Sequence, residues 1–355
     1  MSRTFVVKLG CGARAHIERD GLAPSAIRCV PAAAGGPKGL ALMPFDRWLF
    51  GEWLRDASDL TLVGASIGAW RMAAAVHDDP AGALLRLRRG YIEDQNYGLK
   101  PGPAEVAALM RDNVRKGFCE WRPRDGIRLH VLTSRAVGAL ARGGSRRAFA
   151  RATLANARGR SHLASHLQRV VFSRGGAGRR GSEALFGNDA FGATHVPMTQ
   201  ENALEALLAS GSIPILCETV ADIPGAPQGC YWDGGLIDYH LFFPYSQLDG
   251  LTLYPHFTPS VTPGWLDKFL PWRKQGVRGR GADWLSTTIL IAPTPEFLAT
   301  LPNGRLPDRR DFHHYGPDHK SRIAAWNRAV AECQRFADDS AAWLQNPDLS
   351  VAQSF

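Results

Sequence analysis

"LTLVGASIGAWRMAAAVHD", residues 60–78, changes its hydrophobic period halfway. The first six residues are an unbroken apolar run, the pattern of a strand covered on both faces. From Ile67 onward, small and apolar residues continue at helical spacing. Between the halves lies "GASIG" (64–68), a serine bracketed by glycines. A buried strand that turns directly into a helix is the repeating unit of a sheet covered by helices, which predicts an α/β protein.

Other segments repeat the alternation. "AIRCVPA" (26–32), "GIRLHVLTS" (126–134), "QRVVFS" (168–173) and "TTILIAP" (287–293) read as strands. "LALMPFDRWLFGEWLRDA" (40–57) reads as a helix with Leu49, Phe50, Trp53 and Leu54 on one face. "ENALEALLAS" (201–210) and the long C-terminal segment 319–345 are further helices. The pattern predicts a mostly parallel sheet in a single domain over 1–355. The Ala/Arg-rich stretch 136–165 reads as an irregular or helical insertion over a basic face.

Composition narrows the function classes. At 355 residues and 45% hydrophobic content, the chain can bury a full core. No window reaches the length of apolar residues a membrane helix needs. The N-terminus lacks a signal-peptide core, and six cysteines without CxxC spacing suit reduced thiols, so a cytoplasmic location is expected. The net charge of +9 is uneven: residues 126–182 carry twelve arginines and no Asp or Glu. Such a field attracts anionic membranes, phosphates or nucleic acid, unless it is only a solvated surface. Nucleic acid is disfavoured because no RNP, KH or zinc-finger pattern accompanies the arginines.

The "GASIG" turn is the G-x-S-x-G pattern of a nucleophile elbow, with Ser66 projecting from the turn and Gly64 and Gly68 clearing its floor. An incidental serine in a tight turn is the plain alternative. Upstream, "CVPAAAGGPKGLALMPF" (29–45) offers glycine backbone between a strand and a helix. The N–H groups of Gly35 and Gly36, joined by Lys38, suit a tetrahedral oxyanion, and Pro37 has no N–H to give. A phosphate loop is the rival, but its G-x-x-x-x-G-K-[ST] pattern is absent. Downstream, "YWDGGLIDYH" (231–240) sets Asp233 between a strand-like run and two glycines. That delivers an aspartate to the serine directly, unless D-G-G is only a turn.

Taken in order, "AAGGPKG", "GASIG" and "DGG" resemble the patatin-like phospholipases, and "ASGSIPILCETV" (209–220) is similar to the family's segment before the aspartate. The resemblance covers residues 26–240. It implies a three-layer α/β/α fold, a Ser66–Asp233 dyad, an oxyanion hole at the glycine turn, and hydrolysis of lipid acyl esters without a cofactor or metal. Ala33 and Ala34 replace the family's Asp and first Gly, Lys38 replaces its Arg, and the N-x-P after D-G-G is missing.

Two further functional classes stand beside this one. A serine esterase or acyltransferase would use His240, His256, His313 or His314 as base in a triad. A non-catalytic basic protein would bind anionic membranes or nucleic acid. "PGWLDKFLPWRKQGVRGR" (263–280) places Trp265, Leu266, Phe269 and Leu270 on one helical stripe with surplus positive charge. It reads as a lid or interfacial anchor, or as a short helix closing the core. His313, His314 and His319 show no metal-ligand spacing and read as loop residues.

Overall fold

The computed structural model describes residues 3–98, 100–118, 122–141, 145–175, 183–187, 189–270, 273 and 280–355. Its strands are β1 (Phe5–Leu9), β2 (Ile27–Ala32), β3 (Leu60–Ala65), β4 (Ile127–Ala136), β5 (Leu167–Arg174), β6 (Thr194–Pro197), β7 (Val220–Ala221), β8 (Cys230–Asp233), β9 (Leu251–Pro255), β10 (Thr288–Pro293) and β11 (Ala352–Ser354). They form one mixed, mostly parallel sheet in the order β11-β1-β10-β9-β2-β3-β4-β5-β6. Strands β7 and β8 lie off this path, with β8 antiparallel to β4.

The α-helices are α1 (Cys11–Asp20), α2 (Met43–Trp48), α3 (Ile67–Ala75), α4 (Pro80–Glu93), α5 (Pro103–Phe118), α6 (Arg146–Arg158), α7 (Arg160–Leu163), α8 (Ala203–Gly211), α9 (Arg280–Trp284), α10 (Pro295–Thr300), α11 (Arg310–Tyr315) and α12 (His319–Gln345). Every residue of β3, β9 and β10 is buried, which explains their unbroken apolar runs. No helix among the described residues is long and apolar enough to cross a membrane.

The helix predicted over 40–57 forms as three windings. A 3-10 turn runs Gly36–Leu42, α2 follows, and a π-turn covers Leu49–Trp53. Pro37 and Pro44 interrupt the regular N–H ladder at its start, and the π-turn brings Trp53 beside Trp48, ring centroids 6.0 Å apart. Leu49, Phe50 and Leu54 are buried as expected, while Trp53 is half-buried.

The insertion between β4 and β5 is helical and has a small core of its own. Leu140, Ala148, Ala152 and Leu163 pack with Trp232, Leu236 and Ile237, so α6 and α7 support the turn that follows β8. Arg142, Arg179 and Arg180 of the basic stretch lie outside the described residues.

Candidate active site

The elbow at the end of β3 is strained backbone. Ser66 has φ 58° and ψ −132°, a region that a residue with a Cβ enters only when its surroundings force it. Those surroundings leave no room for larger neighbours. A Cβ on Gly68 would sit 1.9 Å from the Ala32 carbonyl oxygen, and one on Gly64 would sit 2.5 Å from Ala69. The helix behind the turn is anchored twice. Arg71 makes a buried two-pronged ion pair with Asp46, at 2.6 and 2.8 Å, and the Trp70 ring N–H donates to the Leu207 carbonyl at 2.8 Å.

A third anchor grips the serine itself. The Ser66 N–H donates to Ser210 Oγ at 2.9 Å, and that hydroxyl donates to the Leu132 carbonyl at 2.7 Å. Ser210 therefore locks the elbow to β4 from its place on α8. The sequence analysis gave it no role; its only trace was the "ASGS" stretch, and a serine hydroxyl in a helix more often bonds its own preceding turn than a partner elsewhere in the fold.

Strand registry brings Asp233 to Ser66. Along β3 the pairing with β4 ends at Ala65 opposite Leu132. The next residue of β4, Thr133, pairs with Asp233 of β8. The two strands thus share β4 as a neighbour, and the residue leaving β3 meets the last residue of β8. The Asp233 N–H donates to the Ser212 carbonyl at 2.8 Å, and the Ser134 hydroxyl donates to the Asp233 carbonyl at 3.0 Å.

Both side chains are removed from solvent, Ser66 at 4% and Asp233 at 6% exposure. Burial pushes the Asp233 carboxyl up to about 6. A hydrogen bond with the Ser66 side chain, another from the Gly235 N–H at 2.7 Å, and the positive charge of Arg309 hold it from rising further. The arrangement can pass a proton from Ser66 to Asp233 without an intermediary.

Facing them is the glycine turn. Gly36 has φ 56°, the left-handed region that favours glycine, and a Cβ on Gly35 would strike the Phe257 ring at 2.6 Å. Neither N–H makes a backbone hydrogen bond outside the 3-10 winding among the described residues. The Ile67 N–H, at the first position of α3, has no intrahelical acceptor either. Lys38 departs from its expected place as a third donor. The winding that opens at Gly35 takes up its N–H, and its side chain lies over the Phe257 ring, 5.3 Å from the centroid.

Ser66 opens onto two recesses. The smaller is lined by Ala34, Gly35, Asp233, Tyr239, Trp265 and Arg309, among others. The larger, about 530 Å³, starts at Gly36 and Ile67 and is walled by Trp70, Tyr97, Met110 and Phe312. That volume falls within the range of small-molecule sites.

The structure does not bring a histidine to Ser66 among the described residues. His240 and His256 are buried, their imidazoles held neutral by burial above all; for His256 the drop is to about 3. His240 Nδ1 accepts the Thr262 N–H at 2.9 Å, and His256 is bonded to Thr258. His313 and His319 line the larger recess without a hydrogen bond to Ser66, and His314 packs on Tyr315.

The stripe expected over 263–280 is not a single helix face. Trp265–Phe269 is one 3-10 turn, whose three-residue period spreads these side chains around its axis. Trp265 lines the smaller recess, Leu266 packs on the insertion core, and Phe269 is 61% exposed. Between them Asp267 is fully buried, accepting from Asn156 at 2.9 Å, Arg160 at 2.8 Å and Arg273 at 2.6 Å. Residues 271–272 and 274–279 lie outside the described residues. No protein-family model matches this chain, and none of the curated proteins compared with it is significantly similar.

Proposed function

We propose that this protein is a serine acyl hydrolase that cleaves lipid acyl esters, in a three-layer α/β/α fold of patatin-like type. One observation carries the reading. A serine on a strained strand–helix elbow shares a recess with a buried aspartate whose carboxyl it influences, with no histidine bonded to it among the described residues, next to a glycine turn with free N–H groups.

In this mechanism Asp233 accepts the Ser66 proton as Oγ attacks the ester carbonyl. The Gly35 and Gly36 N–H groups, with that of Ile67, hold the oxyanion, and the alcohol leaves with a proton returned from Asp233. Water then attacks the acyl-enzyme, with Asp233 again the base. The larger recess takes the acyl chain, since its walls are chiefly apolar and aromatic.

The test is covalent labelling with a fluorophosphonate probe. Wild type should be labelled at Ser66 and Ser66→Ala should not, with ester hydrolysis lower by several orders of magnitude and an unchanged circular dichroism spectrum. A Ser66→Ala protein that keeps more than a tenth of the activity removes Ser66 from the mechanism.

A further inference from the structure

Positive charge collects around the two recesses beyond anything the proposed chemistry uses. The larger recess is lined by Lys100, Arg309, His313 and His319, and by no Asp or Glu among the described residues. Arg309 lines the smaller recess as well. It sits against the glycine turn: a methyl group on Gly36 would lie 3.3 Å from its Nε.

The neighbours of Arg309 in sequence are already paired. Arg305 bridges to Asp308 at 3.3 Å and Asp311 at 2.5 Å, and Arg310 bridges to Asp308 at 2.7 Å. Arg309 itself makes no side-chain hydrogen bond or ion pair with the described residues, although its charge reaches Asp233. Two lysines stand nearby in the same condition. Lys268 Nζ lies 4.3 Å from the Trp265 ring centroid and 5.7 Å from that of Tyr239, both rings of the smaller recess. Lys38 lies over Phe257. Burial lowers the pKa of Lys268 to about 8, and Arg309 and Lys38 add to the effect, so the three cations share one field.

The charges of Asp233 and Asp308 reach Arg309 and Lys38 without a direct ion pair, and partly buried cations that repel one another are stabilised when an anion binds among them. The same site offers an apolar cavity, so the fitting ligand is an amphiphile with a compact anionic group close to its ester. Arginine's planar fork matches the oxygens of a phosphate.

We propose that Arg309 holds the phosphate of a phosphorylated acyl ester, such as an acylated glycerol phosphate, while the acyl chain fills the larger recess. The inference rests on Ser66 as the nucleophile. Arg309 is then a specificity-determining residue that selects phosphorylated over neutral esters.

The experiment compares kcat/KM for a short-chain acyl glycerol phosphate and for the uncharged acyl glycerol of the same chain, in wild type, Arg309→Gln and Arg309→Lys. The neutral ester is the internal reference, so any general loss cancels in the ratio. Arg309→Gln should lower the preference for the phosphorylated ester about 10- to 100-fold, the worth of a charged hydrogen-bonded contact. Arg309→Lys should recover part of it. An unchanged ratio overturns the assignment, and if both esters lose activity equally Arg309 is instead an aid to the reaction itself.

Should wild type hydrolyse neither ester, the reading of Ser66 fails separately, and calorimetric binding of the acyl glycerol phosphate decides the subsite. Binding by wild type that Arg309→Gln loses supports it; equal binding, or none, overturns it. Inorganic phosphate that binds as tightly as the ester also overturns it, because the site would then hold the ion rather than a substrate.

Discussion

A carboxylate with an ordinary pKa near 4 takes a serine proton poorly, and burial brings Asp233 up to about 6, nearer neutral working pH. In the proposed mechanism Asp233 must be ionised to act as base, so kcat/KM should fall below pH ~6 by about tenfold per pH unit. The same shift costs stability. With a folded pKa above the unfolded value, the native state binds more protons between pH ~4 and ~6, so stability drops as pH rises through that window. The deficit is complete above pH ~6 and amounts to about 3 kcal/mol at most. Asp233→Asn should therefore be inactive yet more stable than wild type at pH 7, melting a few degrees higher, and this gain should vanish below pH ~4. Thermal melts at the two pH values check the claim; an Asn variant less stable than wild type at pH 7 contradicts it.

At the scale of elements, the site depends on α8 gripping β3 and β4 through one hydroxyl. Ser210→Ala leaves the Ser66 N–H and the Leu132 carbonyl without their partner. It should destabilise the protein by about 1–3 kcal/mol and lower kcat more than it raises KM, since the elbow is misplaced while the recesses remain. Denaturant melts and steady-state kinetics read both effects. What the sequence revealed at this scale divides by range. The elbow, the glycine turn and the turn after Asp233 were legible because each is local backbone chemistry written in glycines. Strand β1, "FVVKL", was not singled out, because its meaning comes from pairing with β10 nearly the whole chain away. Ser210 and Arg309 were illegible for the same reason: a helix serine and a surface-type arginine acquire roles only from what the fold sets against them. The three windings over 36–53 were hidden because periodicity reports helix without reporting pitch.

For the molecule as a whole, the acid-free stretch is less of a bare cation than its composition implies. Arg128, Arg160, Arg169 and Arg174 are paired with Asp59, Asp267, Asp238 and Asp125, all outside the stretch. Vesicle binding should still rise with anionic lipid and fall with added salt, because Arg146, Arg147, Arg151 and Arg158 on α6 form no ion pair with the described residues. Co-sedimentation at two ionic strengths tests this, and equal binding to neutral vesicles contradicts it. The buried node at Asp267 predicts a separate effect. Asp267→Ala strands Arg160 and Arg273 and should cost about 3–5 kcal/mol, loosening the insertion and raising hydrogen exchange across α6 and α7 first. One consequence of the pairing on β4 concerns the order in which the chain is made. The serine emerges from the ribosome well over a hundred residues before the aspartate that shares its recess. On the proposed mechanism a nascent or truncated chain carries an inert serine, and probe reactivity becomes a signal of completed folding. In refolding, labelling should lag behind the return of helical circular dichroism, because it waits for β8 to dock.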